Sequence, residues 1–283
     1  MAKHATSLAG RRVLITGAAR GIGAALARRL HARGAQVALL GLEPELLAAT
    51  ASQAGGAPWR ECNVADGDAV DQAVGALVGE LGGLDVVVAN AGIAKQMAMI
   101  GGDPTVLRRT LDVNVMGTFY TLRAAGPHIA HPGGYALAIA SLAAALHLPL
   151  LGAYNASKAA TEALGNTLRG ELRGTGAKVG VGYFAELDTD MTRRGFATKA
   201  ADVVHLETPF TRVAPLKLGI DALERGIARR SRFVYAPWWV GPMLPVRMLA
   251  QPVAEQVVAR RIQKALAIAR QEDPAFTTPQ PGD

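Results

Sequence analysis

Short apolar runs alternate along the chain with longer segments in which small and apolar residues recur every three or four positions. Arg12-Val-Leu-Ile-Thr16 reads as a strand, and Ala24-Ala-Leu-Ala-Arg-Arg-Leu-His31 has helical spacing. The order repeats with strands at Gln36–Leu40, Trp59–Cys62 and Asp85–Ala89 and helices at Pro44–Ala51 and Ala69–Leu81. It continues with a helix at about Thr105–His128, the strand Tyr135–Ser141, a helix at about Tyr154–Arg173, the strand Lys178–Tyr183 and a weaker seventh strand, Arg232–Tyr235. The strands lack strict period-two alternation, which is the mark of a sheet buried on both faces. The pattern predicts an α/β fold: a doubly wound parallel sheet of about seven strands with helices on both faces, a three-layer sandwich.

The whole chain, 1–283, reads as one domain without an internal repeat or interdomain linker. From about 188 to 218 polarity is mixed and two prolines interrupt, so a long loop over the carboxyl edge of the sheet is expected there, where open α/β sheets bind ligands. An apolar, proline-broken extension follows at about 236–270. Its apolar run, Trp238–Leu249, is too short to span a bilayer, so it serves as a lid, a subunit interface or a membrane-surface contact beside Arg260, Arg261 and Lys264. The end, 274–283, is expected to be disordered.

The charge of +7 changes this picture little. Basic residues are scattered in pairs without aromatic alternation, which disfavours nucleic acid and suits a solvated face or attraction of an anionic cofactor. The one cysteine, Cys62, cannot form an internal disulfide, and the first residues lack a secretory apolar core, so a reducing cytoplasm is expected. No metal is expected.

The candidate chemistry starts with Tyr154-Asn-Ala-Ser-Lys158. Four-residue spacing puts a phenol and an ammonium on one helix face, and Ser141 lies upstream at a strand end, so all three can converge on one substrate oxygen. Thr16-Gly-Ala-Ala-Arg-Gly-Ile-Gly23 joins the first strand to the first helix. Glycines there let a pyrophosphate approach the backbone while the helix directs its positive end at the phosphates. Asn90-Ala-Gly92 follows the fourth strand, and Asn114 lies in Leu111-Asp-Val-Asn-Val-Met-Gly. In this order and spacing, over about Leu8 to Arg232, the chain resembles the single-domain short-chain dehydrogenase/reductase family.

The resemblance implies a Rossmann-type NAD(P)-binding domain that interconverts a secondary alcohol and a ketone by hydride transfer. Tyr154 would be proton donor and acceptor, with its phenolate favoured by Lys158 and by the cationic nicotinamide ring. Ser141 would hold the oxygen and Asn114 would support a water chain to the lysine. It also implies a cofactor site built from Gly17, Ala19, Arg20, Gly21, Ile22, Gly23, Gly41, Glu43, Asn63, Val64, Asn90, Ala91, Gly92, Tyr154, Lys158, Leu187 and Thr189. Gly41 stands where NAD users carry an acidic residue, and Arg20 can reach a 2′-phosphate, so NADP(H) is slightly favoured over NAD(H). Glu43 opposes this, either as a ribose ligand or as a first-turn helix carboxylate.

Phe184-Ala185 replaces the family's Pro-Gly. Phe184, Ala185 and Leu187 are candidates for an apolar substrate wall, although the Phe184 ring can instead pack under the sheet. His147 is a further substrate candidate or a plain loop residue. A small-molecule alcohol or ketone is the expected partner, in a homodimer or homotetramer, with membrane contact ranked below a lid or interface for the extension. The rival reading is a catalytically silent dinucleotide sensor that keeps the fold.

Overall fold

The computed structural model describes residues 7–196, 198–204, 211–272 and 274–278. Seven strands among them are β1 (Arg12–Thr16), β2 (Gln36–Gly41), β3 (Trp59–Glu61), β4 (Val86–Ala89), β5 (Tyr135–Ile139), β6 (Lys178–Phe184) and β7 (Phe233–Ala236). They form one sheet in the order β3-β2-β1-β4-β5-β6-β7, with all neighbours parallel. β1, β4 and β5 are apolar almost throughout because helices cover both faces.

On one face lie α1 (Gly21–Ala32), α2 (Pro44–Gln53) and α8 (Leu216–Arg229), whose Leu26, Leu30, Leu47, Leu223 and Ile227 pack with Val13, Ile15, Val37 and Leu39. On the other, α3 (Gly67–Leu81) and α5 (Gly117–Ile129) bring Val70, Val74, Leu77, Leu122 and Ile129 against Leu14, Leu40 and Val87. Each such buried side chain contributes about 1.5–3 kcal/mol. The chain runs outward from β1 to β3 and then crosses back to β4, which opens a crevice beyond the carboxyl ends of β1 and β4.

The helix expected at 105–128 is broken in two. α4 (Pro104–Leu111) passes into a π-helical turn, Asp112–Met116, before α5 begins. The turn carries Asn114, whose backbone carbonyl accepts the Thr118 hydroxyl at 2.7 Å.

The segment at 188–218 is also more ordered than its sequence suggested. Its base is closed by Asp188 N donating to Ala214 O at 2.9 Å and Ala214 N donating to Glu186 O at 2.8 Å. It contains a π-helical turn, Thr192–Phe196, and α7 (Lys199–Val204), while α8 starts inside the expected loop. Residues 197 and 205–210 of this loop lie outside the described residues.

The extension folds back as α9 (Val240–Met243), α10 (Arg247–Val258) and α11 (Ile262–Ala269). Ala265 of α11 packs with Ala200 of α7 and with Leu150. No helix among the described residues is long and apolar enough to cross a membrane.

The expectation of disorder from 274 onward fails for 274–278. Thr277 is 1% exposed, its N–H donates to Ala94 O at 3.1 Å, and its hydroxyl accepts from Ala94 N at 3.0 Å. Phe276 packs beside Lys95 and Arg109. Residues 279–283 lie outside the described residues.

Candidate active site

The last turns of the strands and α6 (Gly152–Glu171) enclose a cavity of about 670 Å³. Its inner wall carries Ser141, Tyr154 and Lys158, and the glycine loop lies at its far end. Helix periodicity stacks Tyr154 and Lys158, with Lys158 Nζ 5.5 Å from the centre of the tyrosine ring. The Tyr154 and Ser141 side chains are hydrogen-bonded to each other. The Ser141 hydroxyl also meets Phe184 O at 3.3 Å, and its oxygen accepts from Ala143 N at 3.2 Å.

Lys158 is 4% exposed and donates to Ile139 O at 2.9 Å, which ties the helix to the end of β5. Burial lowers its pKa to about 8. Burial, offset in part by the Ser141 hydrogen bond and reinforced by the charge of Glu186, pushes Tyr154 up to about 12. In the absence of cofactor, burial outweighs the Ser141 hydrogen bond and the phenol stays protonated near neutrality. Both charged forms lose water on burial, and Lys158 has surrendered its proton before the phenol begins to ionise.

Asn114 is fully buried on its π turn and clamps three segments together. Its side chain accepts from Ile93 N at 2.7 Å and donates to Ile93 O and to Ser157 Oγ, both at 2.9 Å. Its carbonyl also meets the Thr161 hydroxyl of α6 at 3.3 Å. These contacts fix β4's exit loop against the helix face bearing Lys158.

The loop glycines fit a dinucleotide. Gly17 has φ +64°, and a Cβ there would lie 2.7 Å from Ala91 Cα. One on Gly23 would lie 2.2 Å from Gly17 O. Arg20, before the first turn of α1, supplies no side-chain cap, and the turn has no acidic residue, which leaves its amides for a phosphate. Asn90 staples the two loops together, donating from Nδ2 to Thr16 O at 3.0 Å and Gly17 O at 3.2 Å.

Ala19, Ile22, Gly41, Asn63, Val64, Ala91, Gly92, Leu187 and Thr189 line the same cavity. Asn63 Oδ1 accepts from Ala65 N at 3.1 Å. Arg20 Nε donates to Glu43 Oε2 at 2.7 Å, so the two residues that argue for opposite cofactors form an ion pair at the lip.

The substrate candidates divide. Ala185 lines the cavity, and Phe184 borders it, but the Phe184 ring is buried in the core with Ile139 and Leu187. His147 is exposed outside the cavity, held by its backbone to Gln251 of α10. Sequence reasoning missed Glu186, Thr277 and Thr278, and it did not assign Leu146, Met243 and Val257 to the wall, which they form with Leu148. An acid directly after the broken Pro-Gly was the available signal for Glu186, whereas nothing in the tail marked Thr277.

The sequence model of the short chain dehydrogenase family matches residues 11–200. The 11-beta-hydroxysteroid dehydrogenase-like 6 of Arabidopsis thaliana is 32% identical over 95% of this chain and 80% of its own length. The D-threitol dehydrogenase of Mycolicibacterium smegmatis is 35% identical over 61% of this chain and 68% of its own length. The crystal structure of levodione reductase superposes with TM-score 0.75 at 21% identity, covering 81% of this chain and 96% of that one, a likeness of fold. The chain belongs to the short chain dehydrogenase family and is an oxidoreductase acting on CH-OH groups with a nicotinamide cofactor.

Proposed function

We propose that the chain reduces a moderately hydrophobic ketone to a secondary alcohol, and runs the reverse reaction at higher pH, with Tyr154 as proton donor and acceptor. The observation that carries this reading is the hydrogen-bonded Ser141–Tyr154 pair, one helical turn from a buried Lys158, in a cavity that also contains the glycine loop. When bound, the nicotinamide supplies or accepts the hydride.

The protein's part is position and protons. Tyr154 is a neutral phenol near pH 7, the form that can give its proton to a carbonyl oxygen. Ser141 donates a hydrogen bond to that oxygen as negative charge develops, and Lys158 holds the ribose side while its ammonium stabilises the resulting phenolate. Leu146, Leu148, Met243 and Val257 supply the apolar wall and exclude water.

NADP(H) is the preferred cofactor in this reading. Gly41 offers no acid, and Arg20 lines the cavity beside it, so a cation stands where a 2′-phosphate would bind. Glu43 competes for Arg20, so Glu43→Gln should strengthen NADPH binding relative to NADH. Parallel titrations with the two reduced cofactors test this.

The protein works as a homodimer or homotetramer, supported by exposed apolar side chains on α10 such as Met248, 82% exposed, and Leu249. Sedimentation equilibrium checks the assembly. A single buried thiol suits a reducing cytoplasm.

A panel of ketones and alcohols with the preferred cofactor tests the function, and Tyr154→Phe should lower kcat about 10²–10⁴-fold while cofactor still binds. Tight cofactor binding without turnover anywhere in the panel, and no effect of Tyr154→Phe on the biological phenotype, would return the sensor reading.

A further inference from the structure

The apolar wall formed by Leu146 and Leu148 lies on the segment between Ser141 and Tyr154, and core packing does little to hold it, since Leu148 is 44% exposed. Two helices grip its backbone through side chains. On one side Asn155, next to Tyr154 on α6, donates from Nδ2 to Leu148 O at 2.9 Å. On the other, the Gln251 amide of α10 makes a reciprocal pair with the residue between the two leucines. His147 N donates to Gln251 Oε1 at 2.8 Å, and Gln251 Nε2 donates to His147 O at 3.1 Å. An amide side chain can accept and donate at once, and Glu255 Oε1, accepting from Nε2 at 2.9 Å, orients it. Leu150, two residues past Leu148, has φ +68°, a left-handed conformation that a leucine keeps only when its surroundings hold it.

The same stripe of α10 joins this clamp to the cavity. Arg247, Gln251, Ala254 and Val258 recur at helical spacing on one face. Arg247 Nη1 meets both carboxylate oxygens of Glu162 at 3.1 Å, one turn beyond Lys158 on α6, while Ala254 and Val258 line the cavity. Of this helix only Val258 is buried, and Pro252 removes a backbone donor from its interior. Neither packing nor its own hydrogen bonds therefore fix where α10 lies, and the Gln251 and Arg247 contacts do.

We propose that Gln251 is a positioning residue that braces the Leu146–Leu148 wall against α10 and so determines how well the pocket takes a ketone whose apolar part extends from the carbonyl to that wall. The inference rests on the proposed ketone reduction. Gln251 acts through the His147 backbone and touches no substrate. A compact ketone is held at its carbonyl by Ser141 and Tyr154 and makes little use of the wall, whereas an extended one gains binding from it.

The test compares wild type, Q251A, Q256A and Y154F on two ketones that share a reacting end and differ in apolar length, methyl ethyl ketone and methyl octyl ketone. In Q251A, KM for the octyl ketone should rise about 5-fold or more with kcat within about 2-fold, and both constants for the ethyl ketone should stay within about 2-fold. Hydrogen exchange at the His147 amide, which loses its acceptor, should speed up about 5-fold or more in Q251A. Q256A, on the opposite face of the same helix, should match wild type in both measurements. Equal losses on the two ketones, a loss confined to kcat, unchanged exchange at His147, or the same changes in Q256A would each overturn the role of Gln251. If Y154F reduces the ketones as well as wild type does, the proposed function fails. If Y154F is inactive and Q251A does not distinguish the two ketones, only the role of Gln251 fails.

Discussion

Lys158 and Tyr154 show how one environment sets two proton affinities in opposite directions. Burial takes the ammonium down to about 8, and burial, offset in part by Ser141 and reinforced by Glu186, takes the phenol up to about 12. On the proposed reading, the Lys158 ammonium at the ribose side is half protonated near pH 8 and is lost as pH rises through that value, while the phenol keeps its proton over that range. Cofactor dissociation constants should be flat from about pH 6 to 7.5 and rise above about 8, and Lys158→Arg should remove the rise because guanidinium stays charged. Fluorescence titration at several pH values measures this, and a wild-type curve flat to pH 10 would contradict it. Asn114→Ala should cost about 1–3 kcal/mol, seen as a lower urea midpoint, because it strands the buried N–H and C=O of Ile93.

At the scale of elements, α7 depends on a residue far from it in sequence. Glu272 accepts from Lys199 N and Ala200 N, both at 3.1 Å, satisfying amides that a short helix cannot satisfy itself. Glu272→Ala should weaken that cap by about 1 kcal/mol. Hydrogen exchange at Ala200 should speed up with little change in Tm, and KM for the ketone should rise because α7 packs beside the cavity.

The strands, the glycine loop and the Tyr154–Lys158 spacing were legible in the sequence, because each is a local pattern of period or spacing. Other features depend on partners dozens of residues away. The break at Asp112–Met116 is fixed by Ile93 and α6 contacting Asn114, and the outward turn of His147 by Gln251. No window of sequence contains both halves of those contacts. The ring of Phe184 illustrates a third case: the alternation of β6 places it in the core with Ile139, while its carbonyl meets the site.

Across the molecule, the two halves of the sheet meet at β1 and β4, and a charged pair fastens that seam. Arg12 binds Asp85 through Nε at 3.0 Å, Nη2 at 2.9 Å and its backbone N–H at 2.9 Å. Hydrogen bonding from the Arg12 side chain is the main cause that holds the Asp85 carboxyl below the usual carboxylate range. A depressed folded value means stability that is present above the unfolded pKa of about 3.9 and lost as pH falls through the folded one. Asp85→Asn should lower Tm near neutrality and flatten the acid side of the Tm-against-pH curve. A variant curve parallel to wild type would show that the seam is not held this way.

Thr277 closes the wall beside Ala94 across 183 positions of chain. Synthesis runs in one direction at about 5–20 residues per second, so the two halves of that contact leave the ribosome about 9–37 seconds apart. The sheet can pair and the glycine loop can form well before then, but the cavity must wait for its last stave. Late in that interval, once α6 has emerged, the nascent chain has Tyr154 and its glycine loop and an open side, so whatever enters the pocket then does so before the pocket has its final shape.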